Sequence, residues 1–66
     1  MQVRRYIFTV HFDDSEDGFR MMRTYQTRET NHLAAFTWLC SLPSVQEIDY
    51  SQNIEICMRE EDVPHV

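Results

Sequence analysis

Five side chains in this sequence are of the types that bind metals or act as nucleophiles: His11, His32, His65, Cys40 and Cys57. They form no Cys-x-x-Cys or His-x-x-x-His pair, so their spacing does not predict a local zinc site. His11 and Asp13 fall on one face of a predicted strand and could share an ion, although a histidine beside an acidic turn is more often only solvated. No nucleophile, base and orienting group occur together in a motif. We therefore predict no metal, no cofactor and no catalytic residue.

The two cysteines are expected to be unpaired thiols. Cys40 falls at the flank of an apolar helical stripe and is predicted to be a small core residue, whereas Cys57 takes a polar strand position. We see no secretory segment before the first predicted strand, so we expect a cytoplasmic protein with reduced thiols. No stretch approaches the roughly 18 apolar residues of a membrane span, so no membrane association is predicted.

The acidic stretch Asp13-Asp14-Ser15-Glu16-Asp17-Gly18 is the remaining group of reactive side chains. Paired carboxylates can serve as acid and base in hydrolases, but here they crowd a turn where water screens them. The chain is also too short to surround a substrate cleft, so an enzyme is not predicted. Two interpretations of Asp13, Asp14, Glu16 and Asp17 stay open: solvated charge that adds little to folding, or a contact with a basic partner surface.

The overall charge disfavours nucleic acid as a partner. The 66 residues carry eleven Asp and Glu against six basic residues, all of them Arg, for a formal net charge of −5. Phosphate backbones are bound by cations that release counterions, and the sign here is opposite. A chain this short buries only about 60% of its unfolded surface, so self-association is a candidate source of extra stability.

The elements that position these residues begin with a β-hairpin. Alternate apolar residues between 5 and 12 predict a half-buried strand, and 19–25 is the predicted returning arm. Gly18 supplies the turn residue that tolerates a positive φ. The expected register sets Phe12 against Phe19, with the further pairs Val10–Met21, Phe8–Arg23 and Tyr6–Tyr25 on the core face and His11–Arg20, Thr9–Met22 and Ile7–Thr24 on the outer face. Arg23, the one charged residue on the core face, is expected to extend into water.

After Thr27 the apolar spacing becomes helical and predicts a helix from Arg28 to Leu42. Thr27 is the expected N-cap, and Pro43 is expected to stop the helix. The negative charge of Glu29 is favourable in the first turn, where the helix dipole is positive. From Val45 to Met58 apolar residues alternate again, as one bent strand or as a hairpin with Asn53 in the left-handed region. Residues 59–66 are expected to be a solvated acidic tail, with an ordered part of about 3–58.

The order β-β-α-β, with a fourth strand if the hairpin forms, predicts one α+β domain over residues 1–66. It would consist of a single antiparallel sheet with one helix on one face. The predicted core is Tyr6, Phe8, Val10, Phe12, Phe19, Met21, Tyr25, Ala35, Phe36, Leu39, Leu42, Ile48, Tyr50, Ile54 and Ile56.

The uncovered outer face is the predicted contact surface, for a homodimer or a larger partner. Ile7 and Met22 should lie near each other there, inside a polar rim. The candidate contacts are Ile7, Thr9, His11, Arg20 and Met22 on that face, and Asp13, Asp14, Glu16 and Asp17 in the turn.

The functional hypothesis is a small acidic protein-interaction module: a regulator, inhibitor or accessory subunit that covers a partner surface. Small acidic proteins of this kind are often encoded by phages or mobile elements, which is an association and not a physical argument. The alternative is a nucleic-acid-binding accessory protein that uses Arg5, Arg20 and Arg23.

Overall fold

A computed structural model describes residues 2–63 of the chain. Within them, three strands form one antiparallel sheet in the order β2-β1-β3. The elements in chain order are β1 (Arg4–Asp13), β2 (Arg20–Glu29), α1 (His32–Ser41), α2 (Pro43–Gln46), a 3₁₀ turn (Tyr50–Gln52) and β3 (Glu55–Asp62). The predicted α+β class and the order β-β-α-β are confirmed.

The inner face of the central strand β1 forms the floor of the core. Its four alternate residues Tyr6, Phe8, Val10 and Phe12 are at most 4% exposed. They are covered by Ala35 and Leu39 of α1 and by Val45 of α2. The half-buried residues packed around this cluster are Tyr25, Trp38, Leu42, Ile48, Ile54 and Ile56. The period of two in β1 therefore predicted the buried face correctly, while Val45 was missed.

Four predicted core residues are exposed instead. Phe19 is 72% exposed because it lies in the turn before β2 begins, and Met21 is 39% exposed near the same end of an edge strand. Tyr50 is 93% exposed because it opens the 3₁₀ turn and not a strand. Phe36 is 44% exposed, although its ring lies 6.4 Å from that of Phe8.

The register of the hairpin differs from the prediction by two residues. Phe12 pairs with Met21 and Asp13 with Arg20, so each β2 residue is shifted while keeping its predicted face. The cause is the turn, where the Asp14 amide donates to the Phe19 carbonyl at 2.8 Å, so Phe19 lies opposite Asp14 and not opposite Phe12. Gly18 has a φ of 75°, as the turn prediction required.

The new register sets Arg23 opposite Val10. Its guanidinium carbon lies 5.0 Å from the centroid of the Phe12 ring, and Nη1 donates to the Ser44 carbonyl at 3.0 Å. Arg23 remains exposed, in line with the expectation that it extends into water, but its guanidinium also makes these two contacts. This side chain covers one end of the core and ties β2 to α2.

Helix α1 starts four residues later than predicted. Thr27 and Glu29 belong to β2, where they pair with Tyr6 and Arg4. The N-cap is Asn31, whose Oδ1 accepts a hydrogen bond from the Ala34 amide at 2.8 Å. Strand pairing with β1 thus overrides the local helical pattern, whereas the helix ends before Pro43 as predicted.

The segment predicted as strand from Val45 to Met58 is strand only in its last part. Pro43–Gln46 is helical, and the described residues contain no fourth strand. Asp49 and Gln52 form a capping box around the 3₁₀ turn, and Asn53 is left-handed with a φ of 51°, as predicted.

Strand β3 continues to Asp62, so the expected tail beginning at Arg59 is wrong for that part, and residues 64–66 lie outside the described residues. The cause is charge pairing with β1. Arg4 contacts Asp62 at 3.2 Å, and Arg5 contacts Glu61 at 3.7 Å. An acidic segment that looked like a solvated tail is the complement of two arginines on the neighbouring strand.

Truncating the core should unfold most of the population. Phe8 and Leu39 are fully buried, and replacing either by Ala should lower the free energy of unfolding by about 3–5 and about 2–5 kcal/mol respectively. A domain of this size has only about 3–10 kcal/mol in total. Urea unfolding followed by circular dichroism measures the loss. The control is Leu33→Ala at a site 67% exposed, which should change stability by less than about 0.5 kcal/mol. Equal midpoints for the core and control variants would contradict the assignment.

Candidate interaction surfaces

The outer face of the sheet carries the predicted contact residues Ile7, Thr9 and His11 on β1 and Met22 on β2. Met22 pairs with His11, whereas Ile7 pairs with Gln26 on one side and Arg59 on the other. The Thr9 row therefore separates Ile7 from Met22, and the predicted contact between them is wrong. The two-residue register shift is the reason, so the outer face lacks the apolar pair expected at its centre.

A shallow depression on this face is lined by Ile7, Thr9, Thr24 and Cys57. Its volume is about 310 Å³, and Met58 and Arg59 complete its wall. Cys57 lies on the exposed edge strand β3 directly opposite Thr9. Ile7 and Met58 are the two large apolar side chains among the polar residues of this lining, which is less apolar than the centre of a stable interface.

Asp13, the last residue of β1, is the centre of a polar cluster, which we call the Asp13 cluster: Asp13, Arg20, Gln52, Asn53 and Glu55. Asp13 Oδ1 accepts from Arg20 at 3.1 Å, and Oδ2 accepts from Asn53 Nδ2 at 2.7 Å. The Asp13 carbonyl accepts from Gln52 Nε2 at 2.9 Å. Arg20 also donates to the Asn53 carbonyl at 2.7 Å and contacts Glu55 at 3.4 Å. The cluster thus joins the ends of all three strands.

These contacts hold the pKa of the Asp13 carboxyl below its ordinary value of 3.8, first through the Asn53 hydrogen bond and then through Arg20. Because both carboxylate oxygens already accept hydrogen bonds, Asp13 is poorly placed to share an ion with His11. Among residues 2–63, no three His, Cys, Asp or Glu side chains are grouped as metal ligands. His65 lies outside the described residues.

The other turn carboxylates divide into two kinds. Asp14 Oδ1 accepts from the Glu16 amide at 2.8 Å, and Asp17 Oδ1 accepts from the Phe19 amide at 3.0 Å. Asp13, Asp14 and Asp17 therefore accept hydrogen bonds in and beside the turn, and the interpretation that the four charges add little to folding stays a prediction. Glu16 is exposed, and its carboxylate makes no hydrogen bond or ion pair within residues 2–63.

The turn lies beside the loop that follows α2. Asp14 and Glu47 line one common depression, and Asp14 and Asp49 line another. Five carboxylates that have no ion pair in the described part of the chain meet there, and we call them the acidic end: Asp14, Glu16, Asp17, Glu47 and Asp49. Sequence reasoning assigned only three of them to one place, because the loop position of Glu47 and Asp49 depends on α2.

An apolar groove of about 510 Å³ lies between the second half of α1, α2 and β3. It is lined by Phe36, Cys40, Val45, Gln46, Ile48, Tyr50, Ile54 and Ile56. Several of these were predicted to be core, but a ten-residue helix is only about 15 Å long against about 33 Å for a ten-residue strand. Cys40 is correspondingly exposed and not a core residue. The predicted helix from Arg28 to Leu42 concealed this mismatch in length, so the sequence pattern did not indicate an incompletely covered face.

Neither α1 nor α2, the helices of residues 2–63, has the length and apolar composition needed to cross a bilayer. The chain matches no known family, and no curated protein and no solved structure is significantly similar to it. The functional argument therefore rests on the groove, the acidic end and the sheet.

Removing the charge of Asp13 should destabilise the protein in a pH-dependent way. A carboxyl whose pKa is lowered on folding adds stability above its ordinary pKa, and this contribution is lost as the pH falls through the lowered value. Asp13→Asn should therefore lower the melting temperature at pH 7, and the difference from the parent should shrink below pH 4. Thermal unfolding followed by circular dichroism at pH 7 and pH 3 measures this difference.

Glu16→Gln is the matched control, because it removes one charge from the same turn without breaking a contact within the described residues. Its melting temperature should equal or slightly exceed that of the parent at pH 7. If Asp13→Asn and Glu16→Gln behave alike at both pH values, the Asp13 cluster does not stabilise the fold.

Proposed function

We propose that this protein is a non-catalytic interaction module that binds a partner protein presenting apolar side chains within a basic surround. The observation that carries the proposal is the groove beside the acidic end. As a regulator, inhibitor or accessory subunit, the protein would act by covering that part of its partner.

The groove supplies the apolar half of the proposed contact. Tyr50 and Phe36 are 93% and 44% exposed, and they stand over the half-buried Ile48, Ile54 and Ile56. Contiguous exposed apolar side chains of this kind mark interaction sites more often than scattered ones. Aromatic residues at the edge of an apolar depression are also typical of binding hot spots.

The acidic end supplies the charged half. Ile48 of the groove is flanked in the chain by the exposed Glu47 and Asp49, and the acidic turn is adjacent. Opposite charge on the partner would raise the association rate and fix the orientation of binding. A basic surface is therefore the complement that these residues favour.

The alternative, binding of nucleic acid through Arg5, Arg20 and Arg23, receives less support. Arg20 lies between Asp13 and Glu55, and Arg23 contacts Phe12 and the Ser44 carbonyl. Arg5 contacts Glu61 at 3.7 Å. Binding phosphate would require these internal contacts to be given up, on a chain whose net charge is −5.

The groove can be tested with a matched pair of variants. Tyr50→Glu places a charge in the groove, and Leu33→Glu makes the same kind of change at an exposed apolar residue outside it. Both should keep the circular dichroism spectrum and melting temperature of the parent. In quantitative affinity capture from a lysate of the source organism, proteins retained by the parent and by Leu33→Glu should be lost with Tyr50→Glu.

The captured proteins should also elute at moderate salt, because the acidic end contributes screened charge to the contact. A set of captured proteins that is identical for the parent and both variants would contradict the groove as the binding site. Elution that is independent of salt would contradict the part assigned to the acidic end.

A retardation assay tests the alternative directly. Single-stranded and double-stranded DNA and RNA of mixed sequence should show no shift with the parent at low salt, because the arginines are engaged internally. A shift at low salt that disappears at moderate salt, and that Arg5→Ala weakens, would favour the nucleic-acid function instead.

A further inference from the structure

We infer that two copies of this chain associate through the free edges of their β3 strands, in antiparallel register with Cys57 opposite Cys57 of the second copy. The result is a continuous six-stranded sheet with both α1 helices on the same face. This inference does not depend on the proposed function. The sequence predicted a dimer contact on the outer face of the sheet, whereas the contact inferred here is at the edge of the sheet.

The edge of β3 is open and regular. The strand pairs with β1 without interruption from Glu55 to Asp62, and its other edge has no neighbour within residues 2–63. It contains no proline and no bulge, which are common devices that prevent edge pairing. Charges crowd its second half, at Arg59, Glu60, Glu61 and Asp62, and leave the first half as the part suited to pairing.

A two-fold symmetric contact requires the strand to complement itself, because the residue at position i meets position j and position j meets i. Facing residues must also share a face of the sheet, so the axis passes through a residue position. With the axis at Cys57, Glu55 of each copy lies opposite Arg59 of the other. Both side chains are largely exposed, at 67% and 70%. Within its own chain Glu55 contacts Arg20 and Arg59 contacts Glu61, and these exposed ion pairs leave room for a second partner across the new contact.

Neighbouring registers lack this complementarity. An axis at Met58 sets Glu55 against Glu61 and Ile56 against Glu60, and an axis at Arg59 sets two arginines against each other. An axis at Ile56 leaves Glu55 opposite Cys57, without a charge partner. Like charges directly opposite each other destabilise a pair of strands, so charge selects the Cys57 register.

The apolar residues of the inner face also favour the Cys57 register. In the Cys57 register Ile56 of each copy lies opposite Met58 of the other, and Met58 is 45% exposed in the single chain. Both residues continue the apolar surface that Phe36 and Ile54 begin. Pairing would therefore bury the exposed part of Met58 and place the two grooves side by side across the new contact.

Cross-linking tests the register. In a Cys40→Ser background, Cys57 is the one remaining thiol, and opposed side chains across paired strands have Cβ atoms about 4.5–5.5 Å apart. Diamide, which removes two electrons and two protons from a thiol pair, should convert the protein to a disulfide-linked dimer on non-reducing gels. The matched control carries Cys40→Ser, Cys57→Ser and Thr24→Cys. It places an exposed thiol in the same row of the sheet but on the opposite edge, so it should form no disulfide-linked dimer on the same gels.

Sedimentation equilibrium tests the charge pairs without oxidant. Arg59→Glu alone and Glu55→Arg alone should each weaken the dimer roughly tenfold, and the double exchange should restore it. Tyr50→Glu should leave association unchanged, which separates this inference from the proposed function.

Three results would each overturn the inference: a parent that is monomeric up to millimolar concentration, equal cross-linking of the Thr24→Cys control, or a double exchange that does not recover association.

Discussion

The fold depends on covering the inner face of β1. Tyr6, Phe8, Val10 and Phe12 are nearly free of solvent, and they contact a helix that buries only Ala35 and Leu39 among its own residues. With so few buried side chains, the central strand has to be paired on both edges before the helix can pack on it. Residues that fasten β2 and β3 to β1 are therefore as important to the fold as the core itself.

Two polar contacts at opposite ends of β1 do this fastening. At one end the Asp13 cluster connects all three strands, and at the other Arg4 and Arg5 pair with the end of β3. Exposed ion pairs contribute little one at a time, so their main effect here is on register. They align the strands so that alternate apolar residues share one face. A shift of one residue would turn β3's Ile56 outward.

Features that follow from periodicity and turn chemistry were predicted correctly from the sequence. Features that depend on contacts between strands and on the length of the helix were missed. Alternation in β1 identified its buried face, and turn chemistry identified Gly18 and Asn53. The register of β2 could not be predicted, because it depends on hydrogen bonds that close the Asp14 turn. The predicted start of α1 was wrong because pairing with β1 holds Thr27 to Glu29 in a strand. The groove was read as core because parity shows which face a residue takes, but not how far a short helix reaches.

The contacts of the arginines also support the role proposed for the acidic end more strongly than the composition does. Four of the six contact carboxylates, and Arg23 lies over Phe12, so most positive charge is neutralised inside the sheet. Among residues 2–63, all the carboxylates without an ion pair except Glu29 lie at the end beside the groove. With a screening length of about 8 Å, their field acts on surfaces close to Glu47 and Asp49 and not on the whole molecule. In the proposed function, negative charge would therefore orient an approaching basic partner at the same place where exposed apolar side chains can hold it.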